Sequence, residues 1–138
     1  NWVQDTVDAL QDGDTEKFRR LLTSFLSDIP YTMRRKENER EKERYFHYTF
    51  YLLMRLVSVY TVYTEKQQSD GRVDCVIEAD DHVYIFEFKL DGTADEALRQ
   101  IEEKGYALPY LKDNRHLHRV GVSFSSETGT VDDWKVVE

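Results

Sequence analysis

Apolar residues recur at helical spacing through the first 28 positions. Trp2, Val3, Val7 and Leu10 share one helical face, and Gly13 stops that segment. Asp14 is placed to cap a second helix, in which Phe18, Leu21, Leu22, Phe25 and Leu26 repeat at the same spacing. Pro30 bars a helix from continuing through Ile29. Residues 33–44 are almost all charged and mixed in sign, which reads as the solvated start of a long helix. That helix turns apolar from Tyr45 to about Val57, so it is expected to be buried on most sides. From Val59 the period changes to β-branched and aromatic alternation, predicting a strand to about Lys66.

Two further strands are expected at Arg72–Glu78 and His82–Leu90. Thr93 then caps a helix, with Glu96 as the reciprocal partner of a capping box. Ala94, Ala97, Leu98 and Ile101 line its buried side, and Gly105 ends it. Val120, Val122 and Phe124 alternate in another strand, and Trp134–Val137 forms a short last one after a turn at Gly129. The order is that of a mixed α/β domain.

The segment from Gly71 to Leu90 carries the chemistry. A hairpin turning at Asp80-Asp81 sets Asp74 opposite Glu87, with Cα atoms ~4.5–5.5 Å apart. In that register Val73, Cys75, Ile77, Tyr84, Phe86 and Phe88 form one apolar face. The other face collects Arg72, Asp74, Val76, Ile85, Glu87 and Lys89, and is expected to be the wet side. A slip of one residue would oppose an apolar face to a charged one. The register that hides the hydrophobes therefore also gathers two carboxylates and a lysine. Facing carboxylates repel unless a cation neutralises them. A hard ion such as Mg2+ accepts one or two carboxylates, completing its shell with water and phosphate oxygens. A lysine on the same face can position an attacking water or steady transition-state charge. These are the parts that metal-assisted phosphodiester hydrolysis needs. A surface hairpin with Arg72 and Lys89 balancing the acids is the plainer alternative for this motif alone.

Composition adjusts this picture more than it changes it. The chain has 138 residues, 40% apolar, enough for one core. Lone Cys75 excludes an internal disulfide and a cysteine-based zinc site. The net charge of −8 comes wholly from residues 70–138, since residues 1–69 balance. An acidic half argues against strong unaided nucleic-acid binding but suits a divalent cation. The apolar stretch from Tyr45 to Tyr63 carries Arg55 near its middle, so a membrane span is not expected. The chain opens on Asn1 with no basic-then-apolar leader; it is expected to be a piece of a longer, cytoplasmic protein.

Gly71-Arg72-Val73-Asp74, followed after twelve residues by Glu87-Phe88-Lys89, resembles the PD-(D/E)XK nuclease superfamily. More narrowly, the chain is similar to the nuclease-like domain at the C-terminus of bacterial AAA-ATPase-like proteins. Glu43-Arg44-Tyr45-Phe46-His47 matches the preceding helix, and Ala97-Leu98-Arg99-Gln100-Ile101 with Lys104-Gly105-Tyr106 and Tyr110 matches the following one. Val120-Gly121-Val122-Ser123-Phe124 fits the later strand. The resemblance covers roughly residues 30–138, leaving residues 1–30 as an N-terminal helical extension. It implies an α/β, restriction-endonuclease-like core: a central mixed sheet of about four or five strands flanked by helices. It implies Asp74 and Glu87 as metal ligands, Lys89 as the catalytic lysine, Glu43 as an auxiliary acid and Gln100 near the site. Mg2+ is the implied cofactor, with Mn2+ as a substitute. Nucleic acid, DNA first, is the implied partner, together with an N-terminal ATPase region of the same protein. Val73 stands where the name-giving motif has proline, a position that ligates nothing.

Other candidates are weaker. His116-x-His118 could chelate a metal but lacks supporting ligands nearby in sequence. His47 reads as a core histidine and Cys75 as inert packing. Tyr106 and Tyr110 read as packing residues, and the serines at 123, 125 and 126 have no paired base. The first expectation is thus a metal-dependent nuclease. The second is a silent nuclease-fold module serving an ATPase, and the third a homodimer contact through the N-terminal helices.

Overall fold

A computed structural model of the chain describes residues 1–28, 61–65 and 73–138. The first two helices follow the apolar pattern. α1 spans Trp2–Asp12 and ends at Gly13, whose φ of 73° places it in the left-handed region. α2 spans Thr15–Asp28, and Asp14 caps it by accepting a hydrogen bond from the Lys17 amide at 3.0 Å. Val3, expected on the buried face of α1, is exposed; Thr6, Ala9 and Leu10 are buried instead. Thr6 can sit there because its hydroxyl donates to the Trp2 carbonyl at 2.8 Å.

Five strands form one mixed sheet in the order β1 (Thr61–Glu65), β2 (Val73–Glu78), β3 (His82–Leu90), β4 (His116–Phe124), β5 (Val131–Val137). Every neighbouring pair is antiparallel except β3 and β4, which run parallel. Parallel neighbours need a long crossover. Here it includes α3 (Ala94–Lys104) and a 3-10 turn at Leu108–Tyr110. α3 starts and stops as expected: Thr93 accepts from the Glu96 amide at 3.0 Å, and Gly105 closes the helix with φ 67°. β5 begins at Val131, earlier than the expected Trp134, and an irregularity opposite Ser123 and Phe124 accommodates one added residue, Asp132.

The sheet has two unlike faces. On one, Cys75, Ile77, Tyr84, Phe86, Phe88, Val120, Val122 and Phe124 pack against Leu10, Phe18, Leu22 and Leu26. The rings of Phe18 and Phe86 lie 5.6 Å apart. α1 and α2 therefore complete the core of this sheet. On the other face a smaller cluster joins Ile85 to Ile101 and Ala107, with Val76, Leu98, Tyr106, Tyr110 and Leu117 packed around it. The packing roles expected for Cys75 and the two tyrosines are found. The long helix expected across residues 33–57 lies outside the described residues. No helix among the described residues is long and apolar enough to cross a membrane.

Candidate active site

The antiparallel register of β2 and β3 is the one the alternation requires: Asp74 is the Cα partner of Glu87, and Val76 of Ile85. The same row continues outward in both directions. Glu65 of β1 is the partner of Asp74, and Gly121 of β4 is the partner of Glu87. Three acidic positions thus follow one another across the sheet. Glu65 is not legible from sequence, because its register depends on where β1 meets β2 and not on a tight turn.

Glu87 occupies the central strand, on the face that α3 covers, and is fully buried at 0% exposure. This corrects the expectation of a wet row. The cause lies next door: Gly121 has no side chain, and α3 settles onto the sheet beside Glu87. A Cβ at Gly121 would come within 2.3 Å of the Ala94 carbonyl oxygen and 2.9 Å of Leu98 Cγ. The turn leading into α3 is fastened to β4 and β5. The Ala94 amide donates to Asp133 Oδ2 at 2.7 Å, and the Gly92 amide to Ser123 Oγ at 3.0 Å.

Lys89 lies two residues beyond Glu87, on the same face, with 19% of its side chain exposed. Its Nζ lies 3.2 Å from Glu96 Oε2 on α3. Glu96 was expected to reach back as a capping partner. Its amide does take part in the cap, but its carboxylate is turned to the lysine. Sequence spacing alone could not show this, since β3 and α3 meet only in the folded chain. Gln100 is half-buried one helical turn after Glu96, on the same side of α3. Glu43 and His47 lie outside the described residues.

The donor set fits a hard divalent cation. Glu87 is a buried carboxylate in register with a second acidic position, and facing carboxylates repel unless a cation or a proton neutralises them. Asp74 and Glu87 would hold the ion, within the one or two carboxylates that Mg2+ takes. Among the described residues no group of three or more His, Cys, Asp or Glu is arranged to hold a metal. That applies to His116 and His118 as well: they meet a third imidazole, His82, but as a hydrogen-bonded stack. His82 Nδ1 lies 2.8 Å from His118 Nε2, and the rings of His82 and His116 are 5.2 Å apart.

A model of the PD-(D/E)XK nuclease superfamily matches residues 41–134, which take in β1 to β4, α3 and the first residues of β5. An "Uncharacterized protein in vnfD 5'region" of Azotobacter chroococcum mcd 1 is 32% identical over 126 residues, covering 90% of this chain. The chain spans 24% of that relative's length. No solved structure matches at a significant level. With the family match spanning more than half of the chain and the Asp74–Glu87 register in place, the chain belongs to the PD-(D/E)XK nuclease superfamily.

Proposed function

We propose that this domain hydrolyses phosphodiester bonds in DNA with the help of Mg2+, for which Mn2+ can substitute. The observation that carries the reading is the register of Asp74 against Glu87 with Lys89 on the adjoining same-face position. Asp74 and Glu87 would hold the cation. Bound there, it would polarise a phosphoryl oxygen and make water a better nucleophile. Lys89 has a separate role, since an ammonium beside the carboxylates can orient the attacking water and balance charge that grows on the phosphate. α3 excludes bulk water from Glu87, which strengthens each of these interactions. Gln100 and Glu43 assist, the first from α3 and the second from the segment before the sheet. The ATPase region expected in the same polypeptide, and a homodimer contact through α1 and α2, remain parts of this proposal. The relative's greater length leaves room for further domains.

The test is cleavage of supercoiled plasmid DNA with Mg2+ and with EDTA, by the wild type, Asp74→Asn and Lys89→Ala. Cleavage that needs Mg2+ and disappears in both variants, with their urea midpoints unchanged, is the expected result. Undiminished cleavage in the variants would remove the assignment. The net charge of −8 favours a second reading, a silent module that binds through its ATPase partner. Calorimetry that finds no Mn2+ uptake would decide for it.

A further inference from the structure

Glu96 is not used by the nuclease reading above, yet its carboxylate meets the one amine to which that reading assigns chemistry. Hydrogen bonds fix its backbone from both sides. The turn before it is bonded to β4 through Asp91, whose amide donates to the Phe124 carbonyl at 2.7 Å. Asp91 Oδ1 in turn accepts from the Ser126 amide at 2.8 Å. Asp133 and Thr93 then hold the first turn of α3, Thr93 by accepting from the Glu96 amide itself. Lys89 and Glu96 pass over Gly92, where an added Cβ would lie 3.2 Å from both Glu96 Oε2 and Lys89 Cε. Two side chains that start from a strand and a helix are thus brought together over a bare patch of backbone.

An ion pair with one partner 44% exposed adds little to stability. Its value lies in orientation. A lysine stem has four rotatable bonds and gains nothing from its reach unless something selects one conformer. We propose that Glu96 is the positioning residue of Lys89, holding its ammonium at the rim of the Glu87 row before substrate arrives. An incoming phosphate then meets an amine already in place. The reading rests on the role proposed for Lys89; the tether itself does not.

The test compares wild type, Glu96→Gln, Glu96→Asp and Lys89→Ala. NMR relaxation of 13Cε-labelled lysine reports how freely the tip of Lys89 moves, and plasmid cleavage with Mg2+ reports kcat and KM. The expected result is a Lys89 tip that is restricted in the wild type and freely mobile in Glu96→Gln. With it, kcat falls about tenfold while KM changes by less than about threefold, as misplacement of a reacting group requires. Glu96→Asp keeps the charge and recovers part of both. Equal mobility of the Lys89 tip in wild type and Glu96→Gln would overturn the proposal, as would an unchanged kcat in Glu96→Gln. Failure of the nuclease reading looks different. If the wild type cuts no DNA at all, that reading falls, and the relaxation data alone decide whether Glu96 positions Lys89. If Lys89→Ala cuts as well as the wild type, the amine contributes nothing to cleavage and the positioning role falls with it.

Discussion

The two ends of β3 each gather ionisable side chains, and they do so in opposite ways. At the end where β3 begins, His82 Nδ1 meets His118 Nε2 at 2.8 Å, and His118 Nδ1 lies 2.5 Å from Glu138 Oε2. Tyr84 stacks on His118 with ring centroids 4.7 Å apart and donates its hydroxyl to the Leu10 carbonyl at 2.5 Å. The imidazoles, the phenol and the carboxylate there lie within reach of one another or of the backbone. With both imidazoles neutral, His82 Nδ1–H donates to His118 Nε2, while His118 Nδ1 lies beside the Glu138 carboxylate. The cluster closes on itself and joins α1 to the sheet. At the other end, the ladder sets the positions of Glu65, Asp74 and Glu87 in one row, and Glu87 is buried. The described cation in contact at that end, Lys89, is already turned to Glu96. A gathering of titratable residues is therefore not in itself a site. What separates the two ends is the kind of group they bring together: imidazoles beside a carboxylate and a carbonyl at one, a row of acidic positions beside a lysine at the other.

The sharpest way to break this contrast is to remove the charge at Glu87 while keeping its shape. Glu87→Gln is expected to cut Mg2+-dependent cleavage by about 10²–10³-fold, the scale on which single charge-stabilising groups act. Its folding stability should hold or rise, because a buried charge no longer has to be balanced. Plasmid cleavage and a urea melt measure the two. A large loss of stability would mean that Glu87 serves the fold as the histidines do.

A second variant separates shape from charge. Gly121→Ala places a Cβ against the Ala94 carbonyl and Leu98, so α3 has to move off the sheet. The cost is expected at about 1–3 kcal/mol, typical of overpacking. Amide hydrogen exchange should rise across α3 and leave α1 and the histidine end unchanged. Uniform loss of protection would show that the two ends are not independent.

The differences in what is legible from sequence follow from the range over which each feature is set. The β2–β3 register can be read because a tight turn and strict alternation both fix it. The α3 limits can be read because Thr93 and Gly105 act locally. The pairing of His82 with His116 cannot, since β3 and β4 run parallel and are joined through a long crossover that sets no register. For the same reason His116-x-His118 looks like an isolated chelate, when its third neighbour lies 34 residues earlier in the chain. The burial of Glu87 is hidden in a similar way. Alternation says which face a residue takes, but not whether a helix lies on it; that depends on Gly121, which reads in sequence as an ordinary strand glycine. At Glu96 the capping rule misleads, because an ion pair to Lys89, seven residues back on β3, takes the carboxylate.

The smallest expected effect, and the one confined to the histidine end, is a dependence of stability on pH. Burial lowers the pKa of His82 below 6.5; His116 adds to this, while Asp81, Glu138 and Asp12 oppose it. Burial also lowers that of His118, with Glu138 pulling it up, and His82 and His116 pushing it down. Asp14 acts more remotely, on Tyr84, whose phenol burial pushes upward. For a base with a depressed folded-state pKa, the unfolded chain binds the proton more readily. The unfolded state therefore holds more protons once the pH drops below 6.5, and stability falls with it. The contribution is fully present above that value and is lost as the pH descends toward the folded-state values. The geometry sets the same sign: the His82–His118 contact survives with no added proton or with one, but two imidazolium rings at 2.8 Å would both present N–H groups. Urea melts at pH 7.5 and 5.5 should give a lower midpoint in the acid buffer. His82→Gln should shrink that difference and leave cleavage at pH 7.5 unaltered. An equal shift in the variant would place the acid sensitivity elsewhere, and a loss of cleavage would show that the histidine end and the acidic end act as one.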